Sequence, residues 1–163
     1  MPDCWRGSTA LITGASRGIG AAFADLLAER GADLVVVARD RDALEQVAAR
    51  VRARGVRAEV VPADLGDSGA PAAIEREVAR RGLTVDHLLN NAAIGVHGRF
   101  HEVYAAAHPE VINVNVRAPT ELAARFLPGM VARRRGGILN VASTAGFQGL
   151  AWIPVYSATK AYV

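Results

Sequence analysis

A tyrosine and a lysine near the end of the chain have the residue types and the spacing of an acid/base pair. Lys160 is the only lysine among the 19 lysine and arginine residues, and it follows Tyr156 by four positions. On a helix these positions share a face, so the ammonium would favour the phenolate and lower a pKa that is ordinarily about 10. The same spacing also suits a half-buried tyrosine beside a solvated lysine, so other segments must decide.

A second segment has the composition of an anion-binding turn. It follows the first apolar run and reads Thr13-Gly14-Ala15-Ser16-Arg17-Gly18-Ile19-Gly20. Glycines let a strand turn tightly into a helix, and the free N–H groups at the start of that helix attract a phosphate. The spacing GxxxGxG is a variant of the dinucleotide-binding pattern GxGxxG. The alternative is that these glycines serve only the conformation of the turn.

Both segments belong to a regular alternation of strand and helix patterns. Apolar runs predict strands at Thr9–Thr13, Asp33–Ala38, Val56–Pro62, Val85–Asn90 and Gly137–Ala142, each apolar enough to be covered on both faces. A periodicity of 3.6 residues predicts helices at Gly18–Arg30, Arg41–Arg54, Pro71–Arg81 and His108–Arg133. This order predicts an α/β fold, a Rossmann-type doubly wound parallel sheet in a three-layer α/β/α arrangement. Ligands would bind at the carboxyl ends of its strands.

Length, charge and cysteine content limit the classes of protein. The 163 residues fit a single domain over residues 1–163. Met1–Ser8 is short and polar, which predicts a cytoplasmic protein without membrane association. Cys4 is the only cysteine, so neither an internal disulfide nor a metal site is expected. The arginines behind the net charge of +3 are scattered among acidic residues, which argues against nucleic-acid binding.

The motifs, taken in order, resemble the short-chain dehydrogenase/reductase family of the type with a TGxxxGIG cofactor turn. Thr13–Gly20 matches that turn, and Tyr156 with Lys160 matches the YxxxK pair of the family. Between them, Asp64-Leu65 matches the acidic motif after the third strand, and Asn90-Asn91-Ala92 matches most of the NNAG motif. Asn115 matches the helix asparagine of the family, and Ser143 matches the serine that precedes the tyrosine. The resemblance covers nearly the whole chain.

This resemblance implies hydride transfer between a nicotinamide cofactor and a carbonyl or alcohol carbon. Ser143 would hydrogen-bond the substrate carbonyl oxygen, and Tyr156 would protonate that oxygen during reduction or act as the base in reverse. Lys160 would lower the tyrosine pKa and hydrogen-bond the nicotinamide ribose. Asn115 would hold a water that links Lys160 to solvent. Taken alone, Asn115 equally suits a helix cap or kink, and Ser143 equally suits a turn.

The same resemblance implies a set of cofactor contacts: Gly14, Ser16, Arg17, Gly18, Ile19, Gly20, Arg39, Asp64, Leu65, Asn91, Ala92, Ala93, Tyr156 and Lys160. The end of the second strand bears on cofactor choice, because a carboxylate there would bind the ribose of NAD. Arg39, together with Arg17, could instead pair with a 2′-phosphate, so NADP(H) is predicted over NAD(H). Asp40 opposes this, since a shift of one residue would return a carboxylate to the ribose.

Two features depart from the family pattern. Ala93 stands where the family usually has glycine, and its methyl group would strain the site if that position needed a positive φ or lay against the nicotinamide ribose. The chain ends at Val163, whereas family members typically have about 250 residues, so the fold is expected to be C-terminally incomplete. An uncovered sheet edge and a last helix of about two turns would follow.

Three functions remain open at this point. An NADP-dependent carbonyl reductase or alcohol dehydrogenase, with a homodimeric or homotetrameric full-length form, is favoured over a truncated cofactor-binding module without turnover. A non-enzymatic interaction protein would have no need for the complete set Asn115, Ser143, Tyr156 and Lys160. The segment after Ser143 has an apolar wall that indicates a hydrophobic substrate or, alternatively, ordinary packing: Phe147, Leu150, Trp152 and Ile153.

Overall fold

The computed structural model of the chain describes residues 5–163, so Cys4 and the first half of the Met1–Ser8 segment lie outside the described residues. Its centre is a five-stranded parallel sheet in the order β3-β2-β1-β4-β5. The strands are β1 (Thr9–Thr13), β2 (Asp33–Ala38), β3 (Ala58–Pro62), β4 (His87–Asn90) and β5 (Gly137–Asn140). Because the chain returns to the centre between β3 and β4, a crevice opens at the carboxyl ends of β1 and β4.

Helices cover the sheet from both sides. They are α1 (Gly18–Glu29), α2 (Arg41–Arg52), α3 (Ala70–Arg80), α4 (Ala107–Ile112), α5 (Ala118–Arg133) and α6 (Pro154–Tyr162). Ala10 and Ile12 of β1 pack in the core beneath α1 and α2, and Leu11 packs in the core beneath α3 and α5. Since β1 is covered on both faces, apolar residues occupy consecutive positions. The predicted doubly wound parallel sheet is confirmed.

β3 and β4 each begin two residues later than the apolar pattern predicts. Before β3, the Arg57 N–H donates to the Asp33 carboxylate at 2.8 Å instead of to a backbone carbonyl. Before β4, the Asp86 carboxylate accepts the Thr9 N–H at 3.2 Å. In both places an aspartate carboxylate accepts the backbone N–H group that a longer pair of strands would have used in backbone hydrogen bonding. The ends of α1, α2 and α3 fall within two residues of their predicted positions.

The prediction that every strand is covered on both faces is wrong for β5. This strand forms one edge of the sheet and ends at Asn140, two residues before the predicted end. Gly137, Leu139 and Asn140 are exposed, and Leu139 retains 41% of its accessible surface. An apolar run of this length does not distinguish a central strand from an edge strand, because both contain the same residue types.

The predicted helix His108–Arg133 contains an irregularity that its periodicity does not reveal. A π-helical turn, Asn113–Arg117, joins α4 to α5. Asn115 lies at the centre of this turn and is 2% exposed. Turns of this kind are rare and often mark functional sites, where a wider turn directs a side chain towards a neighbouring segment.

Two further features concern membranes and metals. None of the helices within residues 5–163 combines the length and the apolar character that crossing a bilayer requires. In the same part of the chain, the His, Cys, Asp and Glu side chains do not form a group of three or more that could hold a metal ion.

Candidate active site

A cleft of about 500 Å³ opens at the carboxyl ends of the first four strands. Its lining comes from the glycine turn, the end of β2 and the loops after β3 and β4: Gly14, Ser16, Arg17, Ile19, Ala38, Arg39, Asp40, Ala43, Ala63, Asp64, Leu65, Asn91, Ala92, Ala93, Ile94 and Val114. Ten of the fourteen residues predicted to contact a cofactor are in this set. The four outside it are Gly18, Gly20, Tyr156 and Lys160.

The glycine turn brings backbone groups to the wall of this cleft. Gly14 and Gly18 have φ values of 65° and 56°, which other residues rarely adopt. A side chain at Gly20 would overlap the carbonyl oxygen of Gly14, so α1 can start this close to the turn only with glycine there. Within residues 5–163, no side chain caps the N-terminus of α1. The start of this helix therefore offers free N–H groups and partial positive charge to an anion.

A hydrogen-bonded link between β1 and β4 fixes the floor of the cleft. The hydroxyl of Thr13 accepts the N–H groups of Asn91 and Ala92, both at 3.0 Å. The Asn91 amide donates in turn to the carbonyls of Thr13 and Gly14, at 2.9 and 3.3 Å. The amide hydrogens of Asn91 therefore bind the protein itself, and its predicted contact with a cofactor is limited to the remaining atoms.

The end of β2 is basic, and its neighbouring carboxylate belongs to a helix cap. Arg17 and Arg39 both line the cleft. Asp40 is the N-cap of α2, where its carboxylate accepts the Ala43 N–H at 3.0 Å. The guanidinium of Arg39 lies 3.9 Å from the carboxylate of Glu110 on α4. The argument that Asp40 would bind the ribose of NAD is weakened, since its carboxylate already accepts a helix N–H group.

Asp64 and Leu65, in the loop after β3, lie in two different environments. Asp64 is exposed at the cleft, and its carboxylate accepts the Gly66 N–H at 2.9 Å. Leu65 is 6% exposed and belongs to the core beneath α3 and α5. Asp64 keeps a free carboxylate oxygen for a ligand, whereas Leu65 contributes mainly to packing.

Tyr156 and Lys160 lie on one face of α6, as their spacing predicts. The Lys160 ammonium is 5.8 Å from the centre of the Tyr156 ring and donates a hydrogen bond of 2.7 Å to the carbonyl of Val141. Lys160 is 6% exposed, and this burial lowers the pKa of its ammonium. The alternative of a solvated lysine is therefore wrong. Neither the length of the Lys160 side chain nor its spacing from Tyr156 could have predicted Val141 as its hydrogen-bond partner.

Asn115 connects the loop after β4 to the helix α6. Its amide nitrogen donates to the Ile94 carbonyl at 2.8 Å and to the Thr159 hydroxyl at 3.0 Å, and its amide oxygen accepts the Ile94 N–H at 2.9 Å. Both amide hydrogens are thus committed to the protein. A water relay through this residue would have to use its acceptor atoms. Sequence reasoning missed Ile94 and Thr159, because neither residue type is distinctive in a loop or on a helix.

A smaller cavity of about 360 Å³ adjoins the cleft at Ala93 and Ile94, which line both spaces. Tyr156 lines this smaller cavity together with Gly95, His97 and Ile153. The two cavities therefore share a wall at Ala93 and Ile94, and Tyr156 lines only the smaller one.

Ser143 begins the 3₁₀ turn Thr144–Gly146 that packs against α6. Its hydroxyl accepts the Ala145 N–H at 3.2 Å, which leaves the hydroxyl hydrogen able to donate to a substrate. Ser143 is half-buried but does not line either of the two cavities described above. The contact with substrate that the resemblance implies therefore stays a prediction.

Ala93 does not have the backbone conformation that would make its methyl group a source of strain. Among residues 5–163, Arg134 is the only residue other than glycine with a positive φ. Ala93 therefore affects ligand binding only through the space that its methyl group occupies in the wall shared by the two cavities.

A parallel sheet in this strand order, with a glycine-rich turn at its first crossover, defines a Rossmann-type dinucleotide-binding domain. The profile of the family described as short chain dehydrogenase matches residues 8–163. The chain belongs to this family.

Among its relatives, the ketoacyl reductase HetN of Nostoc sp. is 38% identical over 95% of this chain and 54% of its own length. A very-long-chain 3-oxoacyl-CoA reductase-like protein of Arabidopsis thaliana is 36% identical over 96% of this chain and 52% of its own length. The structure of a short-chain dehydrogenase from Sphingobium yanoikuyae in complex with NADPH superposes with a TM-score of 0.89 at 41% identity, covering 96% of this chain and 61% of that one. The chain thus spans about half the length of the curated relatives it matches.

Proposed function

We propose that the protein is an NADP(H)-dependent oxidoreductase that interconverts a ketone or aldehyde and the corresponding alcohol. One observation carries this proposal: the cleft that contains ten of the predicted cofactor residues shares a wall, at Ala93 and Ile94, with a second cavity lined by Tyr156. A cofactor in the cleft and a substrate in the smaller cavity would face each other at this tyrosine. The relatives named as ketoacyl and 3-oxoacyl-CoA reductases favour a ketone with an apolar chain.

The residues of the cleft fit the parts of NADP(H). The uncapped N-terminus of α1 and the Ser16 hydroxyl would bind the pyrophosphate, and Asp64 would accept a hydrogen bond from the adenine amino group. Arg17 and Arg39 would pair with the 2′-phosphate. The complex of a related short-chain dehydrogenase with NADPH favours the same cofactor. The bound nicotinamide supplies the hydride, and the protein supplies position and charge.

The proposed catalytic residues would transfer the proton that accompanies the hydride. Ser143 would hold the carbonyl oxygen of the substrate, and Tyr156 would donate its phenolic proton to that oxygen as negative charge develops on it. The ammonium of Lys160 would stabilise the phenolate that remains. Asn115 would keep the loop after β4 and the helix α6 at a fixed distance, because its amide binds both.

Replacement of Tyr156 tests this function. Tyr156→Phe should lower kcat by about 10²- to 10⁴-fold, the usual contribution of general acid catalysis, because only the proton donor is lost. The dissociation constant for NADPH, measured by fluorescence titration, should change less than about threefold, since the cleft lining is untouched. Tyr162→Phe is the matched control, because this exposed hydroxyl contacts only Thr120 among residues 5–163.

Turnover that survives in Tyr156→Phe would refute the assigned mechanism. A wild-type protein that binds NADPH but reduces no ketone would instead support the alternative of a cofactor-binding module. Equal or tighter binding of NADH than of NADPH would overturn the proposed cofactor preference. A cytoplasmic location remains a prediction.

A further inference from the structure

We propose that His97, which lines the smaller cavity, together with the neighbouring Arg99 and Trp152, binds an anionic group of the substrate. These three residues are called the rim. The substrate would then be an amphipathic carbonyl compound that carries a phosphate or carboxylate at some distance from its reacting carbon. This inference rests on the proposed function, because Tyr156 is what marks the reacting end of the cavity.

The rim is an ordered cluster that joins two loops. The rings of His97 and Trp152 stack with an interplanar angle of 5° and centres 5.9 Å apart. The guanidinium carbon of Arg99 lies 5.7 Å from the centre of the same indole ring. The Gly98 N–H donates to the carbonyl of Trp152 at 2.8 Å. The two basic side chains are therefore positioned by one aromatic ring, next to the wall that contains Tyr156.

The hydrogen-bond donors of this rim are available to a ligand. Within residues 5–163, neither ring nitrogen of His97 has a hydrogen-bond partner in the protein, although the ring lines the cavity. Arg99 is paired only with Glu102, at 3.5 Å, and both side chains are more than half exposed. An exposed pair at this distance contributes little, so a phosphate or carboxylate can compete for the guanidinium. His101 lies 3.7 Å from the same glutamate and adds a further ring that can carry positive charge.

The inner wall of the cavity has the opposite character. Ala93, Ile94 and Ile153 line it with apolar side chains, in the same cavity as His97 and Tyr156. Of the apolar residues predicted to form a wall, only Ile153 lines this cavity, Trp152 belongs to the rim, and Phe147 is 91% exposed. An apolar wall with a basic rim suits an acyl chain that ends in an anion. An acyl thioester whose carrier bears phosphates and a free oxo acid would both provide such a group.

Two matched pairs of substrates separate these sources. The first is 3-oxooctanoyl-coenzyme A and the N-acetylcysteamine thioester of the same acyl group, which lacks phosphate. The second is 7-oxooctanoate and its methyl ester, in which the chain separates the ketone from the carboxylate. We expect kcat/KM to be about tenfold higher for the anionic member of at least one pair, the scale of one charge-assisted hydrogen bond. A preference within the first pair indicates a phosphate, and one within the second indicates a carboxylate. This preference should shrink as salt is added.

A substitution in the rim should remove the preference and leave the chemistry intact. Arg99→Met, which removes a charge from outside the cavity lining, should lower kcat/KM for the anionic substrate about tenfold and for its neutral partner less than twofold. Arg76→Met is the matched control, because it removes the same charge from an exposed site on α3. Equal kcat/KM within both pairs for the wild-type protein would overturn the rim proposal and leave the proposed function standing.

If none of these compounds is reduced, that result counts against the proposed function for this substrate class. A binding measurement then tests whether the rim binds an anionic group. Coenzyme A and pantetheine would be titrated calorimetrically in saturating NADP⁺, so that the cleft is already filled. Tighter binding of coenzyme A that is lost in Arg99→Met supports the rim. Equal binding of the two probes, or a preference that survives in Arg99→Met, overturns it.

Discussion

The surroundings of Lys160 combine burial with a single strong partner. Its ammonium is nearly inaccessible and donates to the Val141 carbonyl at the end of the strand β5. A buried charge is costly unless it is hydrogen-bonded, and one neutral carbonyl compensates only part of the lost hydration. The lowered pKa of Lys160 expresses this balance. A site that tolerates this cost keeps a positive charge within reach of the Tyr156 ring.

The buried ammonium should appear in the pH dependence of stability. Burial lowers the pKa of Lys160 in the folded protein, so between that value and its ordinary value of about 10.4 the unfolded chain binds more protons. The penalty for burying the charge is therefore present at neutral pH and is relieved as the pH rises through this window. Lys160→Met has no such group, so its free energy of unfolding should lack the rise contributed by the lysine.

Urea denaturation at several pH values from 7 to 10.5 would measure this difference. The quantity to compare is the slope of the unfolding free energy against pH in the two proteins, and the same pair of measurements with Tyr156→Phe in both removes the neighbouring phenol from the comparison. Since Lys160 is the only lysine of the chain, no other residue of its type contributes. Parallel slopes for the wild type and Lys160→Met would show that the pKa is not lowered by folding.

At the scale of elements, the sequence predicts regular structure better than it predicts irregular contacts. The bounds of β1 and β2 agree fully with the apolar pattern, because both strands are buried on both faces. The π-helical turn was missed, since the pairing of Asn115 with the backbone of Ile94 is a long-range contact that leaves no periodic signal. The uncovered sheet edge at β5 agrees with the expectation for a C-terminally incomplete fold, whereas the exposure of its faces depends on which elements are neighbours and could not be predicted from residue type.

In the candidate site, too, features that depend on local sequence were predicted, and those that depend on long-range contacts were not. The glycine turn could be placed from its sequence because a strand, a turn and a helix follow one another without a gap. The spacing of Tyr156 and Lys160 fixed their common face on α6. The stacking of His97 on Trp152 brings together residues from two distant loops, and neither loop contains a pattern that could have predicted it.

The position of α4 beside the end of β2 has a consequence for cofactor choice. Glu110 on this helix competes with a 2′-phosphate for Arg39, since the pair spans 3.9 Å at the mouth of the cleft. Glu110→Gln should therefore tighten NADPH binding about two- to fourfold, as expected for an exposed pair that contributes less than about 1 kcal/mol. NADH lacks the phosphate, so its affinity should not change. Fluorescence titration of both cofactors measures the effect.

Glu29→Gln is the matched control for this substitution. Glu29 is paired with Arg54, also in an exposed position and at a similar distance of 3.4 Å, but on α1 and outside the lining of the cleft. It should leave both affinities unchanged. If Glu110→Gln tightened NADH as much as NADPH, the effect would come from the general charge of the protein and not from the release of Arg39.

At the scale of the whole molecule, the two helix layers differ in how much apolar surface they leave exposed. The layer of α4 and α5 leaves Ile112, Leu127 and Val131 exposed, and Tyr162 of α6 is exposed as well. The family resemblance implies that the catalytic helix and the helix before it commonly form a dimer interface. On the basis of this resemblance we propose that a second copy of the protein covers this face, on which these apolar side chains are exposed.

The two layers provide a matched pair of substitutions for testing this assembly. Leu127 on α5 and Leu26 on α1 are 45% and 44% exposed, so a glutamate at either position should affect folding similarly. Leu127→Glu would place two like charges across a twofold interface without water around them, which should shift the protein to monomers. Leu26→Glu should leave the dimer intact. Sedimentation velocity over a range of protein concentrations separates these outcomes. A wild-type protein that stays monomeric at the highest concentration, or a dimer that survives Leu127→Glu, would place the interface elsewhere or remove it.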